Sequence, residues 1–65
     1  MNILINDKPF ELPAGATLSD AIAALAPLPP FAAAVNREFV PRSAYAARML
    51  QPDDRIEVIR PVTGG

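Results

Sequence analysis

The sequence predicts an α+β domain, a mixed β-sheet packed on one main helix, and three observations carry that prediction. Segments of alternating polarity open and close the chain, one stretch of helical periodicity lies between them, and Pro- and Asn-containing turns separate the rest. A chain of 65 residues makes one domain around one core, burying about 60% of the surface that its unfolded form exposes. Apolar residues are 51% of the total, but many are alanine. The core therefore rests on Ile3, Ile5, Phe10, Leu12, Leu18, Ile22, Leu25, Leu28, Val35, Leu50, Ile56 and Val58.

Met1, Ile3 and Ile5 alternate with Asn2 and Asn6, the period-two signature of a half-buried strand. Asn6-Asp7-Lys8-Pro9 reads as a turn, and Phe10 and Leu12 alternate with Glu11 in a returning strand, so residues 1–13 form an antiparallel hairpin. Pro13 and Gly15 end it. Thr17 is placed to cap a helix, with Asp20 completing a capping-box pattern. Leu18, Ala21, Ile22 and Leu25 fall on one helical face, and Pro27 closes the helix.

The run Pro27-Leu28-Pro29-Pro30 fits neither a helix interior nor a central strand, so it reads as a stiff connector. Residues 32–36 and 38–40 form a second strand pair around Asn36-Arg37. Pro41-Arg42-Ser43 begins a short helical or turn segment running through Tyr45 to Leu50. Gln51-Pro52-Asp53-Asp54 is the last turn, its acids read as solvated turn residues rather than a paired-carboxylate site. Residues 55–60 alternate in polarity as the final strand. In this order the first and last strands lie side by side and parallel at the sheet centre, joined by a crossover that contains the helix. That is the β-grasp arrangement, expected over residues 1–60 with residues 61–65 as an extended tail.

Several function classes are excluded as expectations. Cysteine and histidine are absent, so thiolate or imidazole metal sites and disulfides are not expected, and a reducing cytoplasm fits. The N-terminus lacks a signal-peptide pattern and no apolar run approaches bilayer length, so no membrane is involved. Lys8 and the arginines are scattered among acids at a net charge of −1, without the basic stripe that grips nucleic acid. Without histidine, the chain also lacks the side chain whose ordinary pKa suits proton transfer near neutrality, and no intrinsic catalytic residue is assigned.

The candidate functional group is instead the α-carboxylate of Gly65, carried on the tail Val62, Thr63 and Gly64. Two residues without Cβ atoms can thread a narrow channel in another protein. A terminal glycine pair is otherwise a frayed end, so the functional reading draws on the rest of the chain.

The rest of the chain resembles the ThiS family, the small sulfur carriers of thiamin biosynthesis. The likeness lies in Met1-Asn2-Ile3-Leu4-Ile5-Asn6, in Leu12-Pro13-Ala14-Gly15-Ala16-Thr17-Leu18, and in Ala34-Val35-Asn36 leading to Val40-Pro41-Arg42-Ser43. Asp54-Arg55-Ile56-Glu57-Val58-Ile59 and Pro61-Val62-Thr63-Gly64-Gly65 complete it. The resemblance implies a ubiquitin-like β-grasp fold and a terminal glycine adenylated by an E1-like enzyme, ThiF, then converted to a thiocarboxylate that delivers sulfur to thiazole synthase, ThiG. A sulfur donor is a further partner. The carrier binds no cofactor and no metal on this reading; ATP and Mg²⁺ are used by the partner enzyme. Arg37 and Asp53 stand where the family commonly has turn glycines, and Tyr45 where tryptophan is frequent.

Strand phase suggests a docking surface. With Ile3, Ile5, Ile56 and Val58 facing the helix, Leu4 and Ile59 face the other way as an apolar spot beside Arg60, unless the 41–50 segment covers them. Three functions stay open: sulfur carriage for thiazole formation, the same chemistry for molybdopterin synthase, and a β-grasp interaction module that does not use the terminal carboxylate.

Overall fold

The computed structural model describes residues 1–61. Its elements are β1 (Asn2–Ile5), β2 (Lys8–Glu11), α1 (Leu18–Leu25), β3 (Ala32–Val35), β4 (Glu38–Val40), a 3-10 turn at Arg42–Ala44, and β5 (Arg55–Ile59). The strands form a five-stranded sheet ordered β2-β1-β5-β3-β4. β1 and β5 are parallel, in the register Leu4 with Arg55 and Ile5 with Ile56. β3 runs antiparallel to β5, from Ala32 opposite Ile59 to Val35 opposite Ile56. This is the mixed β-grasp sheet anticipated from the order of the elements. No helix among the described residues is long and apolar enough to cross a membrane.

Alternation decides which face is the core. Ile3, Ile5, Ala33, Val35, Val40, Ile56 and Val58 are buried together with Leu18 and Ala21 of α1. The helix begins as anticipated: the Thr17 hydroxyl accepts from the Asp20 N–H, and the Asp20 carboxylate accepts from the Thr17 N–H at 2.9 Å, satisfying two donors that the first turn leaves open. It ends at Ala26, in the left-handed region at φ 52, and Pro27 follows. The 41–50 segment joins the helix side of the sheet. The Leu18 N–H donates to the Arg48 carbonyl and the Leu50 N–H to the Ala16 carbonyl, with Leu50 buried.

Three expectations change. The first turn is Asn6-Asp7 alone, because Lys8 pairs with Ile5 and Pro9 with Leu4. Both turn residues have positive φ, the requirement of the tight turn whose twist matches the flanking strands, and Asn and Asp tolerate it. The Pro9 ring costs no pairing because β2 is an edge strand. Leu28 is 68% exposed rather than core, held out in the connector between Pro27 and Pro29. Asp54 is not a solvated turn residue. Its side chain is buried and accepts from Asn36 Nδ2 at 3.0 Å and the Gln51 N–H at 2.8 Å.

The turns at Asn36-Arg37 and Pro52-Asp53 hold side chains in the left-handed region. Arg37 and Asp53 both have φ 69, and Asn36 shares the left-handed turn at φ 50. Pro52 precedes Asp53, and the Asp54 N–H closes on the Gln51 carbonyl, a turn with proline second and positive φ third. Tyr45 is half-buried and stacks on Phe31 with ring centroids 6.3 Å apart.

Candidate functional site

β5 is the element that positions the candidate site. It lies between β1 and β3, paired with β3 from Ile56 to Ile59 and with β1 at Arg55 and Ile56, and its alternate residues Ile56 and Val58 are anchored in the core. Arg55, Glu57 and Ile59 consequently face outward. Arg60 and Pro61 follow, both exposed. Val62, Thr63, Gly64 and Gly65 lie outside the described residues.

The structure treats the docking residues unequally. Ile59 is 57% exposed at the end of β5. Leu4 is half-buried and paired with Arg55, four positions earlier along the strand. At about 3.3 Å per residue the two levels are about 13 Å apart, so Leu4 and Ile59 do not make one spot. The register that aligns β1 with β5 separates them, and no alternation pattern carries that register. The 41–50 segment does not cover Ile59 either, since it packs on the helix side.

Ile59 has other neighbours. Ala32 lies opposite it on β3, Ala34 follows on the same face, and Phe39 of β4 lies opposite Ala34. Phe39 is 65% exposed. Ile59, Ala32, Ala34 and Phe39 therefore form an apolar strip across three strands, ending beside Arg60 at the base of the tail. Sequence reasoning omitted Phe39, although a signal existed. A two-residue turn at Asn36-Arg37 sets Val35 against Glu38 and Ala33 against Val40. That register turns Val40 inward and leaves Phe39 outside.

The opposite end of this outer face is polar. The two tight turns flank an open groove of about 730 Å³ lined by Asn6, Asp7, Asn36, Arg37, Arg55 and Glu57, with Leu4 in its wall. Cations and acids alternate there without net complementarity to one class of ligand. Among the described residues no cluster of three or more acids could hold a metal ion. The strip at the exit of β5 is thus an exposed apolar surface that adjoins the segment leading to the glycines.

Comparisons with known proteins agree with this fold. The Geobacter metallireducens thiamine biosynthesis protein ThiS superposes in its crystal structure with a TM-score of 0.82, covering 100% of both chains at 23% identity. Its solution structure gives 0.76, covering 88% of that chain. At this identity these likenesses establish the fold. The Escherichia coli K12 sulfur carrier protein ThiS is 33% identical over 66 residues, covering 100% of both chains. The ThiS family model matches residues 3–65, and with that match spanning nearly the whole sequence, the chain belongs to the ThiS family.

Proposed function

We propose that this chain is a sulfur carrier for thiazole formation in thiamin biosynthesis, a protein co-substrate rather than an enzyme. The observation that carries the reading is the full-length match to the E. coli sulfur carrier, within a family match that runs through Gly64 and Gly65. The reacting group is the Gly65 α-carboxylate. A carboxylate resists acyl transfer until one oxygen becomes part of a leaving group. The carboxylate oxygen attacks the α-phosphorus of ATP, the bond to the β-phosphate oxygen breaks, and pyrophosphate departs, giving a glycyl adenylate. A sulfide equivalent then adds to the carbonyl carbon and AMP leaves with the bonding electron pair. The terminus now carries –COS⁻ in place of –CO₂⁻.

The chain's share of this chemistry is presentation. With no histidine in the sequence, proton transfer, Mg²⁺ and ATP binding fall to an E1-like adenylating enzyme of the ThiF type. A thiazole synthase of the ThiG type accepts the sulfur. The Ile59–Ala32–Ala34–Phe39 strip serves as the docking surface, with Arg60 meeting an acidic group on the partner. Gly64 and Gly65 pass through the partner's channel, where side chains would not fit.

The test is the intact mass of the chain after incubation with the adenylating enzyme, MgATP and sulfide, beside a variant lacking Gly65. One sulfur replacing one oxygen, only in the complete chain, is the expected result. An unchanged mass, with the enzyme active on another carrier, overturns the reading and leaves an interaction module.

A further inference from the structure

The parallel ladder between β1 and β5 stops before β5 does. The Leu4 N–H donates to the Asp54 carbonyl at 3.0 Å and the Asn6 N–H to the Ile56 carbonyl at 2.9 Å. The next rung would join Val58, but the chain has already reversed: Asn6 has φ 51, Asp7 has φ 67, and Lys8 pairs back with Ile5. The Val58 N–H and carbonyl, which point toward β1, are left without a backbone partner from that strand. The Asn6 carboxamide takes both places. The Val58 N–H donates to Asn6 Oδ1 at 2.9 Å, and Asn6 Nδ2 donates to the Val58 carbonyl at 3.3 Å. One side chain thus stands in for a peptide group, and it does so at the residue preceding Ile59.

We propose that Asn6 is a positioning residue for the carrier reaction: its carboxamide extends the ladder past the end of β1 and holds β5 in register where the chain leaves the sheet. The inference rests on the carrier reading above. Without the clamp, the last β5 residues keep their β3 partners on one side only, and the base of the tail is no longer held relative to the Ile59–Phe39 strip. An unheld tail reaches a reaction centre less often in a productive pose, and geometric misplacement of reacting groups by about 1 Å is able to cost about 100-fold in rate.

Asn6→Gly separates the two roles of the residue, because glycine accepts the positive φ of the turn and lacks the carboxamide. Asn6→Asp is its complement, retaining the acceptor for the Val58 N–H while losing the donor to the carbonyl. The control is Thr17→Ala, which lowers stability at the far helix cap. Two readouts are needed: amide exchange at Val58 and Ile56, and pyrophosphate exchange by the adenylating enzyme with the carrier varied at saturating ATP.

In Asn6→Gly, Val58 should exchange about tenfold faster or more, while Ile56 follows only the change in global stability. The kcat should fall by about tenfold or more, with a smaller change in KM for the carrier. Asn6→Asp should lie between, and Thr17→Ala should keep the kcat of the unaltered chain. Equal kcat for Asn6→Gly and the unaltered chain overturns the positioning role alone, and unchanged Val58 exchange overturns the clamp itself. No pyrophosphate exchange with the unaltered chain, with the enzyme active on another carrier, overturns the carrier reading and with it any role of Asn6 in the reaction, whatever Val58 does.

Discussion

Replacing Asp54 by asparagine, nearly isosteric and uncharged, should be one of the more damaging substitutions outside the apolar core. Both contacts of this buried side chain require an acceptor: Oδ1 receives Asn36 Nδ2 and Oδ2 receives the Gln51 N–H. An asparagine has one acceptor oxygen, so its amide nitrogen must face one of the two donors. Hydrogen bonds to a charged group contribute roughly 1.5–3 kcal/mol each. Both bonds are only partly buried and join Asp54 to residues that are themselves exposed, which points to the lower end of that range. One bond lost and one weakened then come to about 2–3 kcal/mol. A domain of this length has a total stability of roughly 3–10 kcal/mol, so the melting temperature should fall by about 10–20 °C. Urea and thermal denaturation followed by circular dichroism measure this directly. The control is Asp53→Asn, at an exposed position whose φ of 69 asparagine tolerates, with an expected change within about 0.5 kcal/mol. A loss below about 1 kcal/mol for Asp54→Asn, or equal losses at both positions, would refute the assignment of Asp54 as the brace that ties the last turn to the Asn36 turn.

Ile59→Glu and Phe39→Glu should leave the circular dichroism spectrum unchanged, because both side chains are more than half exposed, and weaken binding to the adenylating enzyme by about tenfold or more; unfolding of either variant would place it in the core instead. Thr17→Ala removes the hydroxyl half of the capping box and should cost about 1 kcal/mol in urea denaturation. Ala26→Gly relieves a left-handed alanine at the helix C-terminus and should raise stability by about 0.5–1 kcal/mol, and a decrease would count against the left-handed cap.

Much of this fold is legible in the chain because its signals are local. Alternation at Ile3, Ile5, Ile56 and Val58 marks core-facing strand positions, the spacing of Leu18, Ala21, Ile22 and Leu25 marks a helix, and Thr17 with Asp20 marks its start. The parallel centre follows from the crossover that the order of elements requires. The family's segments, including the final Gly64-Gly65, are likewise present in the sequence by itself.

What the tertiary structure alone decided concerns neighbours across strands. Alternation says which face a residue occupies, but only hydrogen-bond register says which residues on that face meet. Leu4 and Ile59 share a face yet lie four positions apart, whereas Ile59 joins Ala32, Ala34 and Phe39, residues distant in the chain and adjacent in the sheet. Asp53 and Asp54 look equivalent in sequence; one is exposed and the other is a buried acceptor, because the Asn36 turn folds against only one of them. Asn6 carries a turn preference that can be read locally. Its bonds to Val58 exist because β1 ends where β5 continues, and the mismatch in strand length leaves a peptide group for a side chain to satisfy.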